Sequence, residues 1–569
     1  MAGPIPAGPF SMPMYREWVP RQIRPWIYVL MLVMFQLTGC IYLGAASQIT
    51  GTTGLMRDDV MFIGICNVIG VNMPFPFLFR FKFRFTNRQL LLNAALVIAA
   101  CNLLALWVVN GSWSMVHGLQ LPLLCLLSYL AGFFKLCGTF ECASNIQLWM
   151  APGRDFKIFF PLLYIMVVGD IFLQSWLAGI VTYFYSWQMM NWLVIGMMLL
   201  VVLIVFTLTK NFRFMRPMPL LSMDWLGCAL WSLIIINFVW LFNYGEYYNW
   251  SDSEQWRLGV VFLVVTLVLT IERARHIRHP YIELAAFRYK TLLPLLGMYF
   301  VAEWLDSTPK VLQNTLTGAV LHWGWMTTNI FELIGWLGTA AGCLFTLWWM
   351  KGLKKKYTTL LIIGGIGLVA YQVMLYFYVS PALNIERLYL PVFVRAFGYA
   401  IYFTALTIYL EELMPFQHFF MGLTISGLMR NGPVGALMGG VYGYSMRHQV
   451  AENLSRGIGL DPTQALLVSI KQLYGVTCLL GCAFLLVLLL WNVQPVRSTM
   501  KKIPSWHKVA RSVRKKPTPP VGTRFLRKFE RCGAERERKG GRSSAPWLSG
   551  SPSLGSSPHR GSPCDPVPL

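Results

Sequence analysis

Glu303 and Asp306 stand three residues apart in an otherwise apolar stretch, beside Trp304 and just before the helix-breaking Pro309. On a helix, that spacing puts both carboxyls on one face. Ionisable groups in so apolar a setting are costly and are kept where they face a cavity or a partner. Burial and a neighbouring like charge both favour the neutral form of a carboxyl, and a carboxyl that alternates between charged and neutral forms carries a proton. The same spacing also fits a pair at an outer helix end, wetted by solvent. Asp170 and Glu332 are two further acids inside apolar runs, with proton carriage and an internal ion pair as their two readings. Lys135, Arg395 and Arg430 are the basic counterparts, available to those acids or to an anionic group of a substrate. Glu141 lies close to Lys135 along one run, which allows a local pair.

Other chemistries find no support. There is no Gly-Lys-Ser/Thr phosphate loop, no metal-ligand cluster and no nucleophile triad, which argues against ATP-driven work, hydrolysis and a bound metal or cofactor. The chain does not read as an enzyme. Its 12 cysteines are scattered without the spacing of a zinc site or a disulfide framework.

The elements that must position these residues are apolar runs of about 20 residues, each long enough to cross a hydrocarbon layer as a helix. Of 569 residues, 56% are hydrophobic and only 13% charged, which excludes an ordinary soluble domain. Windowed hydropathy places helices near 26–47, 60–79, 90–109, 115–149, 158–183, 188–208 and 224–243. Seven more fall near 257–272, 291–311, 325–349, 357–380, 388–412, 416–444 and 472–493, making fourteen. The thirteenth carries glycines at 435, 439 and 443, a small-residue repeat suited to close helix packing.

Charge in the connections alternates. Arg16, Arg21 and Arg24 precede the first helix, and Arg80, Lys82, Arg84 and Arg88 follow the second. Similar clusters follow the fourth, sixth, eighth and tenth, ending in the lysines at 354–356. The intervening loops are neutral or acidic, such as Asn110-Gly111-Ser112 and the one with Glu246, Asp252 and Glu254. The positive-inside rule then puts both termini in the cytoplasm of a multi-pass membrane protein. The formal net charge is +24, and residues 494–569 hold 17 Lys/Arg against 4 Asp/Glu, a net +13. This placement reads as a topology signal plus a basic, disordered tail near anionic lipid, not as nucleic-acid binding.

The middle of the chain reads Met223-Asp224-Trp225-Leu226-Gly227, then Gly245, Trp250-Ser251, Glu272, His279-Pro280, Glu283-Leu284 and Phe287-Arg288. Tyr185-Ser186-Trp187 lies before the sixth helix and Arg395-Ala396-Phe397-Gly398 in the twelfth. Gly422, Arg430-Asn431-Gly432 and Gly435 lie in the thirteenth. In order and spacing this resembles the fourteen-helix drug:proton antiporter branch of the major facilitator superfamily, the EmrB/QacA type, over about residues 26–493. The resemblance implies an all-α polytopic membrane protein with the major facilitator fold. Its parts would be a cytoplasmic N-terminus (1–25), one six-helix half (26–208), two linker helices with flanking loops (209–290), a second half (291–493) and the tail (494–569).

The departures from that family concern its mechanism. The stretch matching the family's first-helix acid is Phe35-Gln36-Leu37-Thr38, so Gln36 stands where a carboxyl would be. The loop after the second helix, where the family's gating motif lies, keeps basic charge in Arg80, Lys82 and Arg84 but has lost its acid. Lys135 ahead of Gly138 stands in for the family's fourth-helix Arg, one position out of register. The fifth helix lacks the Gly-Pro antiporter signature, although Gly432-Pro433-Val434-Gly435 occurs in the thirteenth.

The resemblance implies a secondary exporter of amphipathic, drug-like molecules in a bacterial inner membrane, driven by a proton gradient with no cofactor. Its partners would be a small-molecule substrate and membrane lipid. Crossing an outer membrane would require a separate periplasmic adaptor and outer-membrane channel. Two alternatives stay open. One is a specific exporter of a metabolite or siderophore-like anion held by Arg395 or Lys135. The other is a transport-incompetent receptor or scaffold with the same fold.

Overall fold

Arg24–Gln36 forms the first helix, which is interrupted and resumes as Ala46–Thr53. This computed structural model describes residues 15–39, 45–110, 117–151, 153, 155–212, 220, 223–277, 279–283, 286–287, 292–352, 357–414, 416–429, 432–457 and 461–493. Arg430, the lysines at 354–356 and the tail at 494–569 lie outside the described residues. The second span is Arg57–Asn72, a short turn at Phe75–Phe77, and Leu78–Arg84. Asn87–Asn110 and His117–Met150 are the third and fourth. Phe156–Val167 with Gly169–Phe184 makes the fifth, and Trp187–Leu208 the sixth.

Trp225–Asn243 and Glu254–His276 are the seventh and eighth helices, between the two halves. The ninth is Leu292–Thr308, continued by π-helical turns at Pro309–Gln313 and Leu316–Val320. The tenth combines Trp325–Thr328, Ile330–Leu347 and Trp348–Gly352. Tyr357–Tyr378, Glu386–Leu413, the pair Phe416–Met429 and Pro433–Ser455, and Pro462–Val493 complete the set. Fourteen spans are thus formed among the described residues, as the loop charges predict. Ten are long and apolar enough to cross a membrane by length and composition. The other four are the interrupted first and thirteenth spans, the ninth, which passes into π turns, and the eighth, which carries ionisable residues at both ends.

Three expectations of continuous or terminated helices need correction. The first helix ends at Gln36, where Thr38 Oγ1 donates to Phe35 O at 2.7 Å and takes up a free terminal carbonyl. Pro309 does not end the ninth helix. The wider i→i+5 register absorbs the missing N–H, and Asn314 N donates to Pro309 O. The thirteenth helix breaks before Pro433, which disfavours helical geometry in the residue ahead of it but suits the first turn of a new helix. It then runs on to Ser455, beyond the expected end.

Lipid tails are as apolar as leucine, so helices in a bilayer associate through close packing and interhelical hydrogen bonds. Glycines supply the closest approaches at matching places in the two halves. A Cβ on Gly70 would stand 2.1 Å from Tyr129 O, and one on Gly132 2.1 Å from Asn67 O, joining the second and fourth helices. A Cβ on Gly338 would stand 2.7 Å from Phe393 O and one on Gly342 2.6 Å from Phe397 O, joining the tenth and twelfth. The repeat in the thirteenth helix does not play this part uniformly, since a Cβ on Gly439 would meet nothing within 4 Å.

Two seams join the halves. Along one, the fifth helix packs on the tenth, with Gly335 against Phe172, Gly169 against Trp336, and Asn329 Nδ2 donating to Trp176 O at 3.0 Å. Towards the basic end Tyr164 OH of the fifth helix donates to Thr407 Oγ1 of the twelfth at 3.1 Å, and Lys157 pairs with Glu412 at 2.8 Å. Along the other, the second helix meets the thirteenth, where Phe79, Phe140 and Phe420 form an edge-to-face cluster.

The seventh helix lies across this second seam. Asn243 and Tyr244 bond to Asp58 O and Asp59 of the second helix, while Glu246 pairs with Arg447 of the thirteenth at 2.5 Å. At its other end Asp224 caps the helix by accepting from Gly227 N at 2.8 Å and takes two hydrogen bonds from Arg273 of the eighth helix, 2.7 and 2.9 Å. Burial works against that charge, yet the Arg273 guanidinium and the Gly227 and Tyr281 N–H groups hold the Asp224 carboxyl below its ordinary range. Tyr281 OH donates to Met73 O at 2.7 Å, and Glu283 faces His418 at 3.2 Å.

Sidedness follows from the loop charges and is directly measurable. Reporter fusions after Asn110 and Trp250 are expected outside, and one after Lys356 inside. An inside signal at Trp250 would remove the linker pair from the membrane and overturn this topology.

Candidate functional site

The twelfth helix is the most enclosed of the candidate spans, with 83% of its apolar window buried. It presents Arg395 and Tyr399, one turn apart, to the ninth helix. There they meet the two acids in antiparallel order. Tyr399 OH donates to Glu303 Oε1, and Arg395 Nη1 donates to Asp306 Oδ1 at 2.8 Å. Glu303 is 3% exposed. The Arg395 and Asp306 side chains are 11% and 17% exposed, so the pair is interior and not a wetted helix end.

Arg395 is held from several sides. Its guanidinium carbon is 5.8 Å from the Tyr371 ring centre and 5.9 Å from that of Phe172, an aromatic of the opposite half. Such placement over a ring face is itself attractive to a cation. Tyr371 OH in turn donates to Gln313 Oε1, in the first π turn, at 2.7 Å. Glu332, half-buried in the tenth helix, acts electrostatically on Arg395. Arg395 Nε has no hydrogen-bond partner. The site thus holds one interior ion pair and, a turn away, a buried carboxyl that accepts from the Tyr399 hydroxyl.

The N-terminal half holds a second polar cluster. Lys135 of the fourth helix and Asp170 of the fifth are 7% and 3% exposed, and Lys135 acts electrostatically on Asp170. Gln174, one turn beyond Asp170, is 1% exposed. Where the first helix breaks, a Cβ on Gly39 would stand 2.2 Å from Lys135 Nζ and 2.9 Å from Gln174 Oε1, so glycine lets the ends of the two side chains lie against the backbone there. Gln36 donates to Thr139 Oγ1 at 2.9 Å, which ties the residue in the acid's place to the fourth helix.

Two expectations fail at the basic end. Glu141 does not serve Lys135. Its carboxylate lies 3.7 Å from Lys82 Nζ and accepts from Asn145 Nδ2 at 3.0 Å. The segment with Arg80, Lys82 and Arg84 is helical, not a loop, because Leu78–Arg84 continues the second span. Lys82 is buried in it with a hydrogen bond to Ser144, Arg80 is half-buried, and Arg84 is exposed. A charge with so apolar a surround needs its partner close, and Glu141 is that partner.

The structure therefore brings Glu303, Asp306, Arg395 and Glu332 together in one half, and Lys135, Asp170 and Gln36 around the first-helix break in the other. Sequence reasoning missed Tyr399, Gln174 and Gly39. The first two were within its reach, each lying one helical turn beyond a residue already singled out.

No protein-family model matches the chain, and no curated protein does. Solved structures match its fold. A peptide transporter POT in complex with sulfate is 12% identical with a TM-score of 0.54, covering 84% of this chain and 98% of that one. An auto-inhibited POT family peptide transporter is 15% identical with a TM-score of 0.52, over 82% and 96%. At this identity the likeness establishes the architecture, the major facilitator fold, and leaves the chemistry to the site itself.

Proposed function

We propose that this chain is a secondary active transporter in which proton movement through Glu303 drives the passage of an organic small molecule between the two halves. The observation that carries the reading is the interior carboxyl of Glu303, bonded to the neutral Tyr399 hydroxyl beside an Asp306–Arg395 pair that satisfies the neighbouring acid. Burial favours the neutral form of a carboxyl, so such a group can alternate between its charged and neutral forms. The major facilitator architecture supports alternating access, with the halves rocking about a midplane site. Each proton crossing the membrane contributes about 2.3 kcal/mol per 100 mV of potential.

The finer assignment is the drug:proton antiporter branch, exporting amphipathic compounds from a bacterial cytoplasm, with both termini inside and an adaptor and outer-membrane channel completing the route. The motif order in the linker region supports it. A second reading, export of an organic anion, draws support from Arg395 Nε, an interior donor with no acceptor. The test is uptake into inside-out vesicles or proteoliposomes across a panel of cationic, neutral and anionic dyes under an imposed proton gradient. Gradient-dependent uptake of cationic dyes is expected. Uptake confined to anionic dyes would favour the second reading, and no gradient response with any dye would favour a scaffold.

A further inference from the structure

We infer that the N-terminal half holds a second proton site, Asp170, which exchanges Lys135 with the broken end of the first helix, so that one transport cycle moves two protons. The inference rests on the reading of Glu303 as the proton site of the other half.

Buried polar atoms without partners call for a ligand, a water or a proton. Asp170 Oδ2 and both side-chain amide atoms of Gln174 are such atoms. All three sit in side chains no more than 3% exposed. Lys135 is the charged group that acts on Asp170. At the first-helix break Gly39 lies against Gln174, and the tenth helix, packed on the same stretch, brings Trp336 and Thr339 against Gly169. Its own ionisable residue, Glu332, acts on Arg395 instead.

Lys135 Nζ lies against Gly39, three residues beyond the last turn of Arg24–Gln36. The carbonyl end of a helix attracts a cation, and Gly39 lies just past that end of the first helix. The ammonium thus lies between the Asp170 carboxylate, on which it acts, and the backbone just past the end of the first helix. When it turns to the helix end, Asp170 takes a proton from the side open to water. When it returns, that proton leaves to the other side. Lys135 keeps its own proton throughout, and the only bond made or broken is the O–H of Asp170.

The measurement is the proton-to-dye ratio of the full-length protein in proteoliposomes, read from the gradient that just halts flux of the best-transported dye. A ratio of two is expected for the wild type and for Asp170→Glu, falling to one in Asp170→Asn. Lys135→Gln, which leaves Asp170 without a cation to exchange, is expected to give one as well and serves if the Asn variant does not fold. A wild-type ratio of one, or a ratio of two kept in both variants, overturns the second site and leaves Glu303 as the coupling residue. A wild type with no proton coupling removes both readings.

Discussion

Glu303→Gln is expected to lower gradient-driven transport to the level of protein-free liposomes while the protein still folds and inserts. Glutamine keeps an oxygen that can accept from Tyr399 OH, so the contact between the ninth and twelfth helices survives the change. What it removes is the ability to alternate between charged and neutral forms. Dye binding, measured by fluorescence quenching without a gradient, should persist. Asp306→Asn should also stop transport, and in addition weaken the protein, because its partner Arg395 loses a countercharge. Glu332→Gln is the parallel test. Its carboxyl is half-buried and acts on Arg395, so transport lost in this variant but kept in Glu303→Gln would make Glu332 the proton carrier. Wild-type rates in Glu303→Gln under a proton gradient would show that the coupling proton sits elsewhere.

Arg395→Met has the largest expected effect on stability. The pair it breaks is interior at both ends. Removing one member of a buried ion pair leaves the other charge uncompensated, at a cost of about 3–5 kcal/mol. The unfolding midpoint in detergent should therefore fall well below that of the wild type. The double variant Arg395→Met with Asp306→Asn should recover much of the loss, because the stranded charge is gone. Such a cycle isolates the pairwise term. If the single and double variants unfold alike, the ion pair contributes nothing and Arg395 is held by Tyr371 and Phe172 alone.

The fourteen spans and their order were legible because a hydrocarbon layer imposes a length and the loops carry their sidedness in charge. The interior acids were legible too, since a carboxylate among Leu, Phe and Trp stands out in any window. Pairing was not. Spacing along the fourth helix allows Glu141 a local pair with Lys135, yet its partner Lys82 comes from the end of the second, and no one-dimensional spacing reports a contact between helices. The break after Gln36 was hidden because Gly39 and the residues around it are apolar enough to continue a window average. Pro309 misled in the other direction, since a proline signals a lost hydrogen bond but not whether the helix stops or widens around the gap. Gly39 itself is intelligible only once Lys135 and Gln174 are seen to converge on it.

A solute dissolved among the lipid tails would find the two seams between the halves unequally open to it. The seventh helix covers the meeting of the second and thirteenth, bonded to both, and the eighth is tied to the seventh through Arg273 and Asp224. Among the described residues, neither linker helix bonds across the meeting of the fifth and tenth. Twofold likeness between the halves is thus broken at the periphery, and a compound entering sideways from the bilayer has one doorway instead of two. Bulky residues placed along the outer face of the fifth–tenth seam should then slow lipophilic dyes while sparing water-soluble ones.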